Sequence, residues 1–117
     1  MSPWYYNPQT GGTKIPKQMY GEISGRILKH CKKLYPKNIS RLDIRIRGQF
    51  CYVDAYEPES KQPTHLCRLR YFSGKSEWSL AFYTYSSDKY EPCFLSSGEW
   101  CGSVEEAFET GSVNLQA

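Results

Sequence analysis

The sequence predicts an α+β fold in which an N-terminal helix packs on a four- to five-stranded antiparallel meander, followed by a short C-terminal helix. Three observations indicate it: a long apolar stripe at helical spacing, strict alternation of apolar and charged residues over 41–47, and a succession of short turns after that. A chain of 117 residues is within the size of one domain. We expect an irregular arm at 1–13 and a single domain at 14–117.

The first helix is expected from about Pro16 to Tyr35. Pro16 suits a first helical position because its missing N–H leaves no helical hydrogen bond unmade, and Pro36 ends the pattern. Apolar residues recur every three or four positions between them, which predicts one buried stripe. The stripe consists of Met19, Ile23, Ile27, Cys31 and Leu34.

The sheet begins with the strongest strand signal in the chain, where Leu42, Ile44 and Ile46 alternate with charged residues. Gly48 and Gln49 predict the tight turn of a hairpin. Further strand-like runs follow at 50–56, 64–72, 77–85 and, more briefly, around 90–95. Because short connections join strands that are neighbours in space, these runs predict an antiparallel meander.

The C-terminal part predicts a short helix from Val104 to about Thr110. Ser103 and Glu106 fit a capping box, in which the serine hydroxyl accepts a hydrogen bond from the glutamate N–H and the carboxylate reaches back. Pro92, in the last strand-like run, indicates an edge strand, because proline has no N–H for the ladder.

Four segments resemble a family of small uncharacterised bacterial proteins. They are RLDIRIRGQFCYVDAY, PTHLCRLRYF, WSLAFYTYSSDKYEPC and SGEWCGSVEEAF, and the resemblance spans roughly residues 13–111. Since that family has no established activity, the resemblance implies a bacterial, soluble, single-domain protein and no particular chemistry.

The sequence also leads to expectations about the location of the protein, the state of its cysteines and the binding of metals or cofactors. No apolar run approaches the roughly 18 residues of a membrane span, and the first residues lack the pattern of a signal peptide, so we expect a cytoplasmic protein without membrane contact. Reduced thiols are expected at Cys31, Cys51, Cys67, Cys93 and Cys101. His65 and Cys67 should share a strand face, but no paired-ligand spacing such as C-x2-C is present, so we expect no metal and no cofactor.

The formal net charge of +3 is unevenly distributed. Ten of the 15 basic residues and only two of the 12 acidic residues lie at or before Arg47. This asymmetry fits either a basic face for an anionic partner or mutual neutralisation of a basic helix and an acidic tail, and we favour the second.

One face of the predicted sheet collects the candidate binding residues. If the apolar residues of 41–47 face the helix, the arginines between them face the other way, as do alternate residues of the next strands. The candidates are Arg45, Arg47, Arg68, Arg70, Tyr52 and Tyr56, whereas Trp100, beside the last turn, is a separate candidate anchor for a protein partner. Arginine and tyrosine together suit nucleic acid, because guanidinium groups meet phosphates and rings stack on bases. The favoured alternative is the solvated face of an ordinary antiparallel sheet.

No residue is predicted to be catalytic. His30 and His65 are the two histidines, and the sequence has no nucleophile elbow, phosphate loop or H-E-x-x-H motif. We therefore expect a non-catalytic binding or interaction module with a protein partner. A nucleic-acid-binding protein that uses the Arg/Tyr face is the alternative, and a small enzyme is third.

Overall fold

The apolar stripe forms a helix, as predicted. A computed structural model describes residues 12–37, 41–72, 78–95 and 97–112. After one turn of 3-10 helix at Lys17–Met19, helix α1 runs over Tyr20–Leu34. The remaining elements in chain order are β1 (Arg41–Arg47), β2 (Phe50–Tyr56), β3 (Thr64–Tyr71), β4 (Trp78–Thr84), β5 (Lys89–Cys93), β6 (Cys101–Gly102) and α2 (Val104–Gly111). The predicted α+β class, the meander and the short C-terminal helix are confirmed.

The sheet has the order β1-β2-β3-β4-β5, and every neighbouring pair is antiparallel. Its sixth strand, β6, is not among the predicted strands; it pairs with the start of β4, with Trp78 opposite Gly102. Of the predicted arm at 1–13, residues 1–11 lie outside the described residues. Thr13 and Ile15 bind the sheet through their N–H groups, which donate to Tyr71 (2.7 Å) and Gly48 (2.9 Å).

Both helices cover the same face of the sheet. From α1, the buried residues are Ile23, Ile27 and Cys31, while α2 contributes Val104, Ala107 and Phe108. They join one apolar core with the inward-facing residues of the strands, and Met19 and Leu34 pack at its margin. The predicted stripe is therefore buried, but it shares the sheet with α2, which lies against β3 and β4.

Helix α2 is fixed at both ends. At its start the predicted capping box is present: Ser103 Oγ accepts from the Glu106 N–H at 3.1 Å, and the Ser103 N–H donates to Glu106 Oε1 at 3.0 Å. At its last residue, Gly111, an added Cβ would lie 2.7 Å from Cys67 Sγ. The glycine therefore allows α2 to approach β3 closely.

Burial raises the pKa of the cysteine thiols in the core. Cys51 and Cys67 are completely buried. Desolvation raises the pKa of Cys51 to about 12 and that of Cys93 to about 11, so both thiols stay protonated near neutral pH.

Among the described residues, no helix has the length and apolar character that crossing a membrane would need.

Replacing Ile27 with alanine should lower the free energy of unfolding by about 2–5 kcal/mol, because a fully buried side chain would leave a cavity under the helices. Leu28→Ala is the matched control, since that neighbouring side chain is 39 % exposed and its truncation should cost far less. Urea unfolding measures both values. Equal losses at the two positions would contradict the packing of the stripe.

Gly111→Ala should destabilise the protein by about 1–3 kcal/mol, because the new methyl group would overlap Cys67 and Leu80. Gly25→Ala, within α1, should instead stabilise it by up to about 1 kcal/mol, since no atom lies within 4 Å of a Cβ there and alanine favours the helix. Thermal unfolding of the two variants should shift in opposite directions. A stabilised Gly111→Ala variant would show that α2 can move away from β3.

Glu105→Gln should destabilise the protein near neutral pH but not near pH 3. Hydrogen bonds from Arg26 lower the pKa of the Glu105 carboxyl, so this stabilisation is present above the unfolded pKa of about 4.3 and is lost as the pH falls through the folded pKa. Glu22→Gln is the control, because that carboxylate lies 3.8 Å from the same arginine and is mostly exposed. Denaturant titrations at both pH values would contradict the pairing if the two variants behaved alike.

Candidate functional site

The candidate functional site is the sheet face that neither described helix covers, which we call the open face. Strand alternation and cross-strand register place five arginines, two aspartates, a histidine and several aromatic rings on it. Its larger side chains are Arg41, Asp43, Arg45, Arg47, Phe50, Tyr52, Asp54, Tyr56, His65, Arg68, Arg70, Tyr83 and Tyr90. All six binding residues predicted on the sheet share this face.

Aromatic rings hold the guanidinium groups of the open face in place. The Arg68 guanidinium carbon lies 4.4 Å from the centroid of the Phe50 ring and 5.4 Å from that of Tyr90. Its buried Nε makes no hydrogen bond within the part of the chain that the structure describes. Arg41 lies over the Tyr56 ring at 4.1 Å. Contacts of this kind stabilise a cation while leaving its N–H groups able to donate.

A buried carboxylate lies in the middle of the open face. Asp54 is only 3 % exposed. Its Oδ2 accepts a hydrogen bond from Arg45 Nη2 at 2.9 Å, and its Oδ1 lies 3.0 Å from His65 Nδ1. Because an ionised carboxylate cannot be buried without such partners, these three side chains form one unit.

Tyrosines surround this unit and continue across the sheet. The His65 ring lies 4.7 Å from Tyr83 and 6.2 Å from Tyr85, measured between centroids. Tyr90 then links Tyr83 (5.1 Å) to Tyr52 (5.6 Å). Burial raises the pKa of Tyr90 to about 12, whereas Tyr85, just beyond β4, is 61 % exposed. The rings form a belt from β2 to β5 with exposed aromatic surface at one end.

A β-bulge brings His65 to the open face. Val53 pairs with Cys67, but the next residue, Asp54, pairs with His65, so β3 has one extra residue, Leu66. The expectation that His65 and Cys67 share a face is therefore wrong. Cys67 is buried under the helices, and His65 lies opposite Asp54 on the other side.

Arg70 departs from the expectation that these arginines face solvent, since it is only 6 % exposed. Residues before α1 cross this end of the sheet: the Thr13 N–H donates to the Tyr71 carbonyl, and a Cβ at Gly12 would lie 3.2 Å from Arg70 Cγ. The exposure expected for Arg70 is wrong, because alternation along a strand cannot show which other segment covers it.

The acidic residues of α2 neutralise α1 and not the open face. Arg26 Nε and Nη2 donate to the two oxygens of Glu105 at 2.7 and 2.6 Å, and His30 Nε2 lies 2.9 Å from Glu109 Oε1. Arg47 and Arg68 form no ion pair with a described carboxylate. Internal neutralisation thus operates in the helical layer and at the Arg45–Asp54 pair, and arginines outnumber aspartates among the described residues of the open face.

Trp100, the seventh predicted binding residue, makes no ring contact with the described aromatic residues of the open face. It follows β5, and its ring lies 4.0 Å from that of Phe94, which is 53 % exposed. Sequence reasoning missed Phe50, His65, Tyr83 and Tyr90 as members of the open face. Alternation along β4 and β5 is the signal that could have found the two tyrosines, whereas His65 required knowledge of the bulge.

Comparisons of the chain with protein-family models, with curated proteins and with solved structures found no match. The resemblance to small bacterial proteins stays a prediction. Function therefore has to be argued from the geometry of this chain.

Proposed function

We propose that the protein is a nucleic-acid-binding module that holds a single strand of RNA or DNA on its open face. The observation that carries the proposal is the Arg68 guanidinium held between two rings, on a face where arginines outnumber aspartates. Guanidinium groups bind phosphates, and neighbouring rings offer stacking surfaces for bases.

A single strand fits this face better than a duplex. In a duplex the bases are stacked on one another, so aromatic rings can reach them only where the strands are unpaired. The open face is a sheet surface whose rings follow one another from β2 to β5, with Tyr85 exposed at the end of the belt. Such a belt suits successive unstacked bases, with arginines along the phosphate backbone.

A protein-binding module is the second candidate, and the Phe94–Trp100 pair supports it. Phe94 is half exposed and in contact with a tryptophan, and aromatic residues of this kind often anchor protein interfaces. This pair makes no ring contact with the described tyrosines of the belt, so variants can distinguish the two candidates.

Arg47→Ala should weaken binding of a labelled single-stranded oligonucleotide and reduce its salt dependence. Each lost phosphate contact should lower the slope of log K against log salt concentration by about 0.7. Lys29→Ala is the charge-matched control, because that lysine is exposed on α1, on the opposite side of the sheet. Fluorescence anisotropy at several salt concentrations measures both slopes. Equal changes in the two variants would mean that overall charge, and not the open face, drives binding.

Tyr85→Ala should weaken the same complex by about 1–3 kcal/mol and leave the salt slope unchanged, because it removes a stacking surface and no charge. Phe94→Ala removes a similarly exposed ring from the other surface and should leave the affinity unchanged. If Phe94→Ala is the damaging change, or if the native protein binds no oligonucleotide at low salt, the nucleic-acid proposal is wrong.

A further inference from the structure

The hydrogen bond between Asp54 and His65 fixes the state of the imidazole ring. An ionised carboxylate only accepts hydrogen bonds, so the proton between Asp54 Oδ1 and His65 Nδ1 belongs to the histidine. In the neutral ring, Nε2 then carries the lone pair. Arg45 donates to the second carboxylate oxygen at 2.9 Å, which holds the Asp54 side chain in position.

The other nitrogen of His65, Nε2, has no hydrogen-bond partner among the described residues. The side chain is 36 % exposed. The hydroxyls of the two neighbouring tyrosines form hydrogen bonds with other groups: the Tyr85 hydroxyl accepts from the His65 backbone N–H at 2.9 Å, and the Tyr83 hydroxyl donates to Asp88. The titratable groups around the imidazole are thus engaged elsewhere, and Nε2 is available to a bound molecule.

We infer that His65 is a general base and that the protein cleaves single-stranded RNA held on the open face. This inference rests on the proposed function, because the strand must lie on that face. A buried carboxylate bound to one imidazole nitrogen is a known way to orient a histidine as a base. The β-bulge that turns His65 toward Asp54 is also a feature enriched beside active sites.

The reaction is an internal transfer at phosphorus. His65 Nε2 takes the proton of a ribose 2′-hydroxyl, the 2′ oxygen forms a bond to the adjacent phosphorus, and the bond from phosphorus to the 5′ oxygen breaks. The 5′ oxygen leaves with a proton from solvent, to which His65 later returns the proton that it took. The products are a 2′,3′-cyclic phosphate and a 5′-hydroxyl. Arg68, on the same strand and face, supplies positive charge for the phosphate oxygens.

The test uses a labelled single-stranded RNA and a DNA strand of the same sequence, in buffer containing EDTA to suppress contaminating metal-dependent nucleases. The native protein should cleave the RNA to cyclic-phosphate ends and leave the DNA intact, because DNA has no 2′-hydroxyl. Unchanged RNA, or cleavage of both strands, would overturn the inference.

His65→Gln should lower the cleavage rate by about 100-fold or more, since general bases contribute on that scale. His30→Gln is the matched control, because His30 pairs with Glu109 on the helical side of the sheet. This variant should cleave the RNA at the native rate. Free imidazole should restore part of the activity of His65→Ala, which neither a contaminant nor a folding defect would show. Cleavage that survives His65→Gln would overturn the inference.

Two results separate this inference from the proposed function. RNA that is bound at the open face, with sensitivity to Arg47→Ala, but never cleaved would overturn the inference and leave the binding module standing. An absence of both binding and cleavage would overturn both.

Discussion

Successive side chains of a β-strand point to opposite faces, and this constraint organises the whole molecule. Along β1 it separates Ile44 and Ile46, which are partly buried against the core, from Arg45 and Arg47, which cannot be buried without partners. The same division continues through the register of the next strands, so that apolar residues collect under the two helices and arginines collect on the open face. The core and the candidate site are therefore two results of one pattern.

Both α1 and α2 pack on the apolar face of the sheet and bury it. Phe108 of α2 is as completely buried as Ile27 of α1, and the bidentate pair between Arg26 and Glu105 joins the helices to each other. Because the acidic residues of α2 are used within the helical layer, they are not available to the arginines on the other side of the sheet.

Local signals in the sequence predicted the elements, and long-range contacts decided what those signals could not. The α1 stripe, the alternation along β1 and the capping box at Ser103 each depend on residues close in sequence, and all three are present. The burial of Arg70 depends on a segment far away in the chain. The pairing of Asp54 with His65 depends on a register shift, for which the sequence of β3 carries no distinctive mark.

That register shift changes what the open face can do. Strict alternation along β3 would place His65 on the side of Cys67, under the helices, and would leave Asp54 with Arg45 as its described partner. With Leu66 as the extra residue, both Leu66 and Cys67 are buried in the core while His65 crosses to the carboxylate. A face of arginines and tyrosines alone offers charge and stacking, which suffice for binding. The bulge adds an oriented imidazole to it, and an oriented imidazole can move a proton.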